Sequence, residues 1–167
     1  QISRFDKWKD PEGVIDIYRE VRKVIDCRLV LCGSMASDDP EGYKIYSKIL
    51  KKHADLIKKR DLILLTTENS ILVNALQRQA NVVIQKSTRE GFGLTVTEAL
   101  WKGKPVVASN IGGIPLQIHD GESGFLIEPH DKKTAVEKII SLLENPDMGI
   151  EMGEKGKEHV RKNFLIV

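Results

Sequence analysis

The chain has 167 residues and a mass of 18.8 kDa, which fits a single domain, and its formal net charge of +2 argues against a nucleic-acid-binding protein. Val, Ile, Leu and Phe make up 51 of the residues, well above the roughly 20% below which chains tend to be disordered. No apolar run comes near the roughly 18 residues of a membrane-spanning helix, and no secretory signal is recognisable, so we expect a soluble, cytoplasmic protein that does not bind membranes.

Strand-like and helix-like segments alternate along the chain. Runs rich in Val, Ile and Leu predict strands at residues 1–5, 27–32, 61–66, 81–85, 105–109 and 125–127. Apolar residues spaced about 3.6 apart predict helices over residues 11–25, 45–57, 71–79, 93–102 and 146–163, and around 136–143. Turns are predicted at residues 38–40 and 121–124, where Asp, Pro and Gly cluster.

These strands lack alternating polar residues, so they are expected to be buried on both faces, and their alternation with helices predicts a parallel sheet. The expected fold is a doubly wound, Rossmann-like α/β domain with helices on both faces of the sheet. In such a fold ligands bind beyond the carboxyl ends of the strands. The residues that follow each strand are therefore the first candidates for a functional site.

The segment after the fourth strand has the features of an anion site. Gly91 and Gly93 flank Phe92, which allows the backbone to turn tightly and a ligand to lie close to it. A helix is predicted to begin directly afterwards, and the N–H groups of its first residues, Leu94 and Thr95, have no partner within the helix. Because the helix dipole makes this end positive, the segment is suited to a phosphate group.

Two carboxylates, Glu90 and Glu98, stand on either side of this turn. Carboxylates are poor ligands for phosphate, but they accept hydrogen bonds from sugar hydroxyls. Together with the anion site they indicate a ligand that carries both phosphate and hydroxyl groups, such as a nucleotide sugar. The alternative is an ordinary turn between strand and helix, in which Glu98 only solvates the helix.

Arg4 and Lys9 follow the first predicted strand. An Arg offers a planar pair of donors that matches phosphate, and a Lys offers a mobile point charge, so the two could neutralise a diphosphate. The alternative is a solvated loop, in which Lys7 and Lys9 simply flank Trp8. After the fifth strand, Gly112-Gly113 indicates either a loop that approaches the ligand or a turn before a short helix.

Several motifs in a fixed order resemble those of retaining GT-B glycosyltransferases, the glycogen-synthase-like superfamily. They are Ser3-Arg4-Phe5 with Lys9, Glu90-Gly91-Phe92-Gly93-Leu94 followed by Glu98-Ala99-Leu100, residues 104–109, Gly112-Gly113-Ile114-Pro115, Asp120-Gly121 and residues 124–127. The resemblance covers nearly the whole chain but corresponds only to the C-terminal, donor-binding half of such an enzyme. Residues 82–87 and 101–105 are most similar to those of archaeal and bacterial trehalose synthases that glycosylate glucose.

The resemblance implies catalytic roles for three residues. Arg4 and Lys9 would hold the donor diphosphate and stabilise the negative charge of the leaving group, and Glu90 would contact hydroxyls of the transferred sugar. Fixed cations in this role need no metal. We therefore expect neither a metal nor a cofactor, the substrate being a nucleoside-diphosphate glucose such as UDP-glucose or ADP-glucose.

The resemblance also implies donor-binding roles for the loop after the fourth strand. Its backbone N–H groups would bind sugar and phosphate oxygens, and Glu98 would accept hydrogen bonds from the ribose hydroxyls. The residues of this loop are Gly91, Phe92, Gly93, Leu94 and Thr95. The nucleotide base is expected near residues 66–70. The chain departs from the family's pattern at Leu116-Gln117, where an acidic residue usually follows Gly-Gly-Ile-Pro.

The chain begins at Gln1 rather than Met and ends on apolar residues, which indicates a piece of a longer protein. The resemblance implies that residues 1–167 form the nucleotide-sugar-binding domain and that the N-terminal, acceptor-binding domain is missing. The piece alone is then expected to be inactive. The face that would close on the missing domain is expected to be exposed and to allow self-association, for instance as a homodimer.

Other hypotheses remain open at this stage. One is a doubly wound binding or interaction module without sugar-transfer chemistry, since fold does not determine function. Others are a GT-B glycosyltransferase with a different acceptor and, as a minor one, a sugar-nucleotide epimerase of the same fold. His53 is expected to pack in the core or at an interface, and the other three His residues lack metal-ligand spacing. No disulfide is expected between Cys27 and Cys32, which would lie on opposite faces of a strand.

Overall fold

The computed structural model describes residues 1–35 and 40–165 of the chain. Within these residues, five strands and seven α-helices alternate. The strands are β1 (Leu29–Gly33), β2 (Leu62–Thr66), β3 (Val83–Gln85), β4 (Val106–Ser109) and β5 (Phe125–Ile127). The helices are α1 (Pro11–Arg22), α2 (Pro40–Lys52), α3 (Ala54–Lys58), α4 (Ser70–Gln79), α5 (Leu94–Trp101), α6 (Lys132–Glu144) and α7 (Pro146–Asn163).

The strands form two parallel sheets, with the orders β1-β2 and β3-β4-β5. Residues 1–3 run along the free side of β1, where Ile2 and Cys32 form a parallel bridge, so the predicted first strand is reduced to one bridge. From this segment the Gln1 side chain extends to the end of β3, where its Oε1 accepts from the Lys86 N–H at 2.9 Å. The predicted single sheet is thus divided in two, with this side-chain hydrogen bond between residues 1–3 and the end of β3.

Helices cover both faces of the sheets, as expected for a doubly wound fold. In β4, Val107 belongs to one buried apolar cluster, while Val106 and Ala108 belong to another, because successive side chains of a strand point to opposite faces. Helices α1 and α6 pack together over the first cluster, and α5 and α7 pack together over the second. In this layering the helices lie on the faces of the sheets, and the loops that follow the strands lie at their carboxyl ends.

Two predicted elements differ from the structure or lie outside it. The single helix predicted over residues 45–57 is divided into α2 and α3, because His53 leaves the helical conformation with φ −117° and ψ 27°. Its buried imidazole Nδ1 lies 3.1 Å from the Arg19 guanidinium of α1. Asp38 and Asp39 of the predicted turn lie outside the described residues. The turn at residues 121–124 is confirmed by an N–H to carbonyl bond of 2.8 Å from Gly121 to Gly124.

Candidate functional site

Three loops meet at the carboxyl ends of the strands. The loop after residues 1–3 contacts the loop after β3, where the carbonyl of Trp8 accepts a hydrogen bond from the Thr88 N–H at 2.7 Å. The loop after β4 contacts the loop after β3 in turn, because the Gly113 N–H donates to the Gly91 carbonyl at 2.6 Å. The segments that the sequence singled out are thus brought to one place in the fold.

Lys9 and Glu90 form an ion pair at the centre of this region, between Nζ and Oε2. Their side chains are only 17% and 10% exposed. Lys9 ends a single 3-10 turn, Lys7–Lys9, which Asp6 caps by accepting from the Lys9 N–H at 3.0 Å. Two of the predicted catalytic residues therefore touch, although they are far apart in the sequence.

A chain of polar groups holds the Glu90 carboxylate in place. Ser87 Oγ donates to Glu90 Oε2 at 3.3 Å, and Gln85 Nε2 donates to Ser87 Oγ at 3.2 Å. On the other side, Thr95 Oγ1 in the first turn of α5 donates to Gln85 Oε1 at 3.0 Å. Gln85 and Ser87 are buried, so the network orients Glu90 in a region that water scarcely reaches.

A second ion pair, which the sequence analysis missed, lies directly beside the first. Lys86 follows β3 and is only 4% exposed, and its Nζ pairs with Asp10 Oδ2. Asp10 also caps α1 by accepting from the Gly13 N–H at 3.0 Å. The available signal was a Lys directly after a strand with an apolar centre, Val82-Val83-Ile84, where a cation needs a partner if it is buried.

In the loop between Glu90 and α5, the backbone has open space beside it at Gly91. A Cβ placed on Gly91 would meet no atom within 4 Å. Gly93 is the N-cap residue directly before α5 and adopts a left-handed φ of +83°. Because it has no side chain, it does not occupy the first N–H groups of the helix. Leu94 is exposed. These features suit the predicted anion site, which stays a prediction.

The loop after β4 packs tightly against this backbone. Gly112 has a left-handed φ of +55°, and a Cβ at this position would collide with the carbonyl oxygen of Glu90. Gly112 and Gly113 form a turn directly before a short 3-10 helix, Ile114–Leu116, which confirms the second of the two interpretations. The backbone that Gly112 approaches closely is that of Glu90. The glycine keeps the loop that carries Glu90 in its position.

Gln117 holds the loop after β3 in place through its side-chain amide. It is fully buried, its Nε2 donates to the Phe92 carbonyl at 2.5 Å, and its Oε1 accepts from Thr97 Oγ1 at 2.6 Å. Leu116 is exposed. Where the family's pattern has an acidic residue, this chain thus places an exposed apolar side chain followed by a buried amide that holds the Phe92 backbone.

Arg4 lies apart from the central ion pair. Its side chain is 60% exposed, and its guanidinium lies 3.3 Å from Asp6 Oδ2. In the described part of the chain, no hydrogen bond or ion pair joins Arg4 to Lys9 or Glu90. Because an exposed Arg can change its rotamer freely, the predicted contact of Arg4 with a diphosphate stays a prediction.

Glu98, on α5, contacts residues away from the Lys9–Glu90 pair. Its Oε2 accepts from the buried Gln77 amide at 3.1 Å, and Gln77 Oε1 accepts from Lys102 Nζ at 2.5 Å. Burial lowers the pKa of Lys102, and the attraction of the Glu98 carboxylate opposes this effect. The structure therefore orients Glu98 through Gln77, and no contact among residues 1–35 and 40–165 links it to Glu90.

The remaining predictions concern the base, metals and isolated polar residues. Thr66, Thr67 and Glu68 line an open cavity of about 560 Å³ together with Tyr43 and Tyr46 of α2, near the position where the base is expected. Within the described ranges, no three His, Cys, Asp or Glu side chains could jointly hold a metal ion, and no helix has the length and apolar character to cross a membrane. Both cysteines are free thiols, and the predicted burial of the α2–α3 histidine is confirmed.

Comparison with known proteins gives consistent similarities. A family model described as "Glycosyl transferases group 1" matches residues 1–159. A trehalose synthase of Pyrococcus horikoshii is 51% identical over 99% of this chain and 40% of its own length. A trehalose phosphorylase of Grifola frondosa is 40% identical over 96% of this chain and 23% of its own length.

A solved structure, the C-terminal domain of a group 1 family glycosyl transferase from Francisella tularensis, matches with a TM-score of 0.82 at 25% identity. The match covers 99% of this chain and 85% of that one. The predicted doubly wound α/β fold is thereby confirmed. This chain spans two fifths or less of the length of the two curated relatives.

Proposed function

Because the chain belongs to the group 1 glycosyl transferases, we propose that it is the donor-binding domain of a retaining enzyme that transfers glucose from a nucleoside-diphosphate glucose. The observation that carries this proposal is the Lys9–Glu90 pair, a cation and a carboxylate beside the open Gly91 backbone and the start of α5. In this pair, the Lys9 ammonium can bind a diphosphate and the neighbouring Glu90 carboxylate can bind sugar hydroxyls.

The reaction breaks the bond between the anomeric carbon and the diphosphate oxygen and forms a bond to an acceptor hydroxyl, whose proton is released. Lys9, together with Arg4 after a change of rotamer, binds the diphosphate and stabilises the charge that develops on it. The N–H groups at the start of α5 bind phosphate and sugar oxygens. Glu90 accepts hydrogen bonds from the glucosyl hydroxyls, and Glu98 accepts them from the ribose.

The acceptor in this proposal is glucose, so that the full-length protein forms trehalose with an N-terminal domain that binds the acceptor. The 51% identity to a trehalose synthase supports this assignment. The similarity to a trehalose phosphorylase supports one alternative, in which phosphate is the partner substrate. An assay of the full-length protein separates the two: trehalose from glucose and UDP-glucose or ADP-glucose supports the proposal, and glucose 1-phosphate from trehalose and phosphate supports the alternative.

The donor site is tested by calorimetric titration of the chain with UDP, ADP and their glucose adducts. We expect at least one of these ligands to bind with a Kd of about 1 mM or lower. Replacing both Arg4 and Lys9 by Ala should weaken binding by about tenfold or more, because two charged contacts to phosphate are lost. The matched control replaces Arg28 and Lys51, exposed cations at the amino end of β1 and on α2, and should leave the Kd unchanged.

Two results would count against the donor site. A folded chain that binds none of these ligands at about 1 mM lacks the proposed affinity. A Kd that stays the same when Arg4 and Lys9 are replaced shows that these side chains do not bind the ligand. A Kd that rises equally in the control variant assigns the attraction to the net charge of the chain.

A further inference from the structure

We propose that Lys86 and Asp10 are positioning residues: their ion pair fixes the segment that carries Lys9 against the loop after β3 and thereby keeps the Lys9 ammonium within reach of the diphosphate of the donor. This inference rests on the proposed role of Lys9 in binding that diphosphate. Neither positioning residue needs to touch the ligand.

Two ion pairs cross between the same two segments of the chain. Lys9 and Asp10 are neighbours at the start of α1, and their partners Glu90 and Lys86 both lie in the loop after β3. In this alignment of the two segments, each cation faces a carboxylate. If one segment were shifted along the other, the Asp10 carboxylate would face Glu90, and the two negative charges would repel each other. The pair of Lys86 and Asp10 therefore determines which side chain faces Glu90.

The corner at Asp10 is built around this contact. Asp10 is not a glycine but has a left-handed φ of +39°, a conformation that costs about 1–3 kcal/mol and persists only where its surroundings impose it. One carboxylate oxygen accepts from the Gly13 N–H, and the other pairs with Lys86. Gly13 has to lack a side chain, because a Cβ there would collide with the carboxylate and lie 2.8 Å from Lys86 Nζ.

Capping of α1 does not explain the second carboxylate oxygen. An Asn caps a helix about as well as an Asp, since one side-chain oxygen is enough for the Gly13 N–H. The charge of Asp10 is needed by Lys86, which is almost fully buried and would otherwise be an uncompensated cation. Helix capping and the ion pair can therefore be separated by mutation.

The test is a double-mutant cycle with UDP as the probe, measured by calorimetry on the whole chain. Lys86→Met should weaken UDP binding about 5- to 20-fold, and Lys9→Ala should weaken it at least as much. Because Lys86 acts only through Lys9, the double variant should bind within about twofold of Lys9→Ala alone. Losses that multiply would show that Lys86 attracts the ligand by itself and would overturn the proposal.

The matched control is Lys48→Met. Lys48 lies on α2 and also forms an ion pair with α1, at 2.6 Å from Glu12 Oε2, but away from the loop after β3. We expect an unchanged Kd for UDP. A Kd that rises as much as in Lys86→Met would assign the effect to general loosening of α1, and the positioning role would be refuted.

A variant without a buried charge covers the case in which Lys86→Met does not fold. Asp10→Asn with Lys86→Met keeps the helix cap, leaves no unpaired ion and should lose as much UDP affinity as Lys86→Met. Amide hydrogen exchange gives a readout without ligand: the Thr88 N–H, bonded to the Trp8 carbonyl, should exchange faster in this variant but not in Lys48→Met. If the exchange of the Thr88 N–H is unchanged, the proposal is overturned. If this exchange is faster but even the unmodified chain does not bind UDP, only the proposed function is refuted.

Discussion

Replacing Glu90 by Gln should make the chain bind a free nucleoside diphosphate more tightly, although Glu90 belongs to the proposed donor site. In the structure the Lys9 ammonium is already neutralised by the Glu90 carboxylate. A diphosphate that takes Lys9 has to compete with this carboxylate and also approaches its negative charge. Glutamine has nearly the same shape and keeps an oxygen that can accept from Lys9 and Ser87, but it carries no charge.

The size of the effect follows from the burial of the pair. With side chains 17% and 10% exposed, the two charges attract each other more strongly than a surface pair, whose net value is about 0–1 kcal/mol. A hydrogen bond to a charged group is worth about 1.5–3 kcal/mol, of which the amide retains a part. We therefore expect a gain of about 1–2 kcal/mol in the binding free energy of UDP or ADP, a Kd about 5- to 30-fold lower.

The glucose adduct should respond differently. Glu90 is proposed to accept hydrogen bonds from the glucosyl hydroxyls, and a neutral amide accepts them less strongly. The ratio of the Kd of UDP to the Kd of UDP-glucose should therefore fall by about tenfold or more in the Glu90→Gln variant. Calorimetry with both ligands on the same protein preparation measures this ratio directly.

The control for net charge is Glu151→Gln, since Glu151 is an exposed carboxylate on α7 that pairs with Lys155 at 2.7 Å. It changes the charge of the chain equally and should leave both Kd values as they are. If Glu90→Gln binds UDP no more tightly than the unmodified chain, the competition between Glu90 and the diphosphate for Lys9 does not exist. If the ratio is unchanged, Glu90 does not contact the sugar.

Three further predictions concern the residues that support the site and the core. Gly112→Ala should lower the free energy of unfolding by at least about 2 kcal/mol, because the position has a positive φ and the new Cβ would collide with Glu90. The Tm should fall by about 4–8 °C. Gly91→Ala, at a position with open space around it, should change the Tm little. Gln117→Met removes the three hydrogen bonds of a buried amide and should lower the free energy of unfolding in urea by about 1–3 kcal/mol. An unchanged midpoint would show that the amide is not needed. Burial, and then nearby cations, lower the pKa of His53, so the unfolded chain binds the proton more readily than the folded chain. The free energy of unfolding should therefore fall as the pH drops below the ordinary His pKa of about 6.5. His53→Gln should flatten this part of the curve of stability against pH, and an unaltered curve would assign the pH dependence to other groups.

Much of the fold was predictable because its signals are local. The α7 bounds, Pro146–Asn163, agree with the sequence because a Pro at the first helical position and a continuous polar face mark a helix. The apolar strands predicted a doubly wound sheet, and the similarity to GT-B glycosyltransferases inferred from the motifs is confirmed by the family match. The break between α2 and α3 was not predictable, because His53 leaves the helix to reach Arg19 on another element.

The candidate site was predictable in its residues but not in its contacts. Glycines and the two carboxylates mark the loop after β3, yet nothing local indicates that Glu98 contacts the buried amide of Gln77 on α4. The apolar strand before Lys86 is only a weak sign that this residue is buried, and Asp10 by itself is an ordinary charged residue in a loop. Burial decides their importance, and burial depends on how distant segments pack.

The amino-acid sequence by itself determined the order of strands and helices, the loops that face the carboxyl ends of the strands and the family to which those loops belong. These properties follow from apolar periodicity, helix start signals and glycines, which act over a few neighbouring residues. Only the tertiary structure decided that Lys9 meets Glu90 and that Lys86 meets Asp10, across 81 and 76 positions of the chain. Such contacts depend on how the end of β3 and the start of α1 are placed relative to each other, and the strength of an ion pair depends on how much water the surrounding chain excludes.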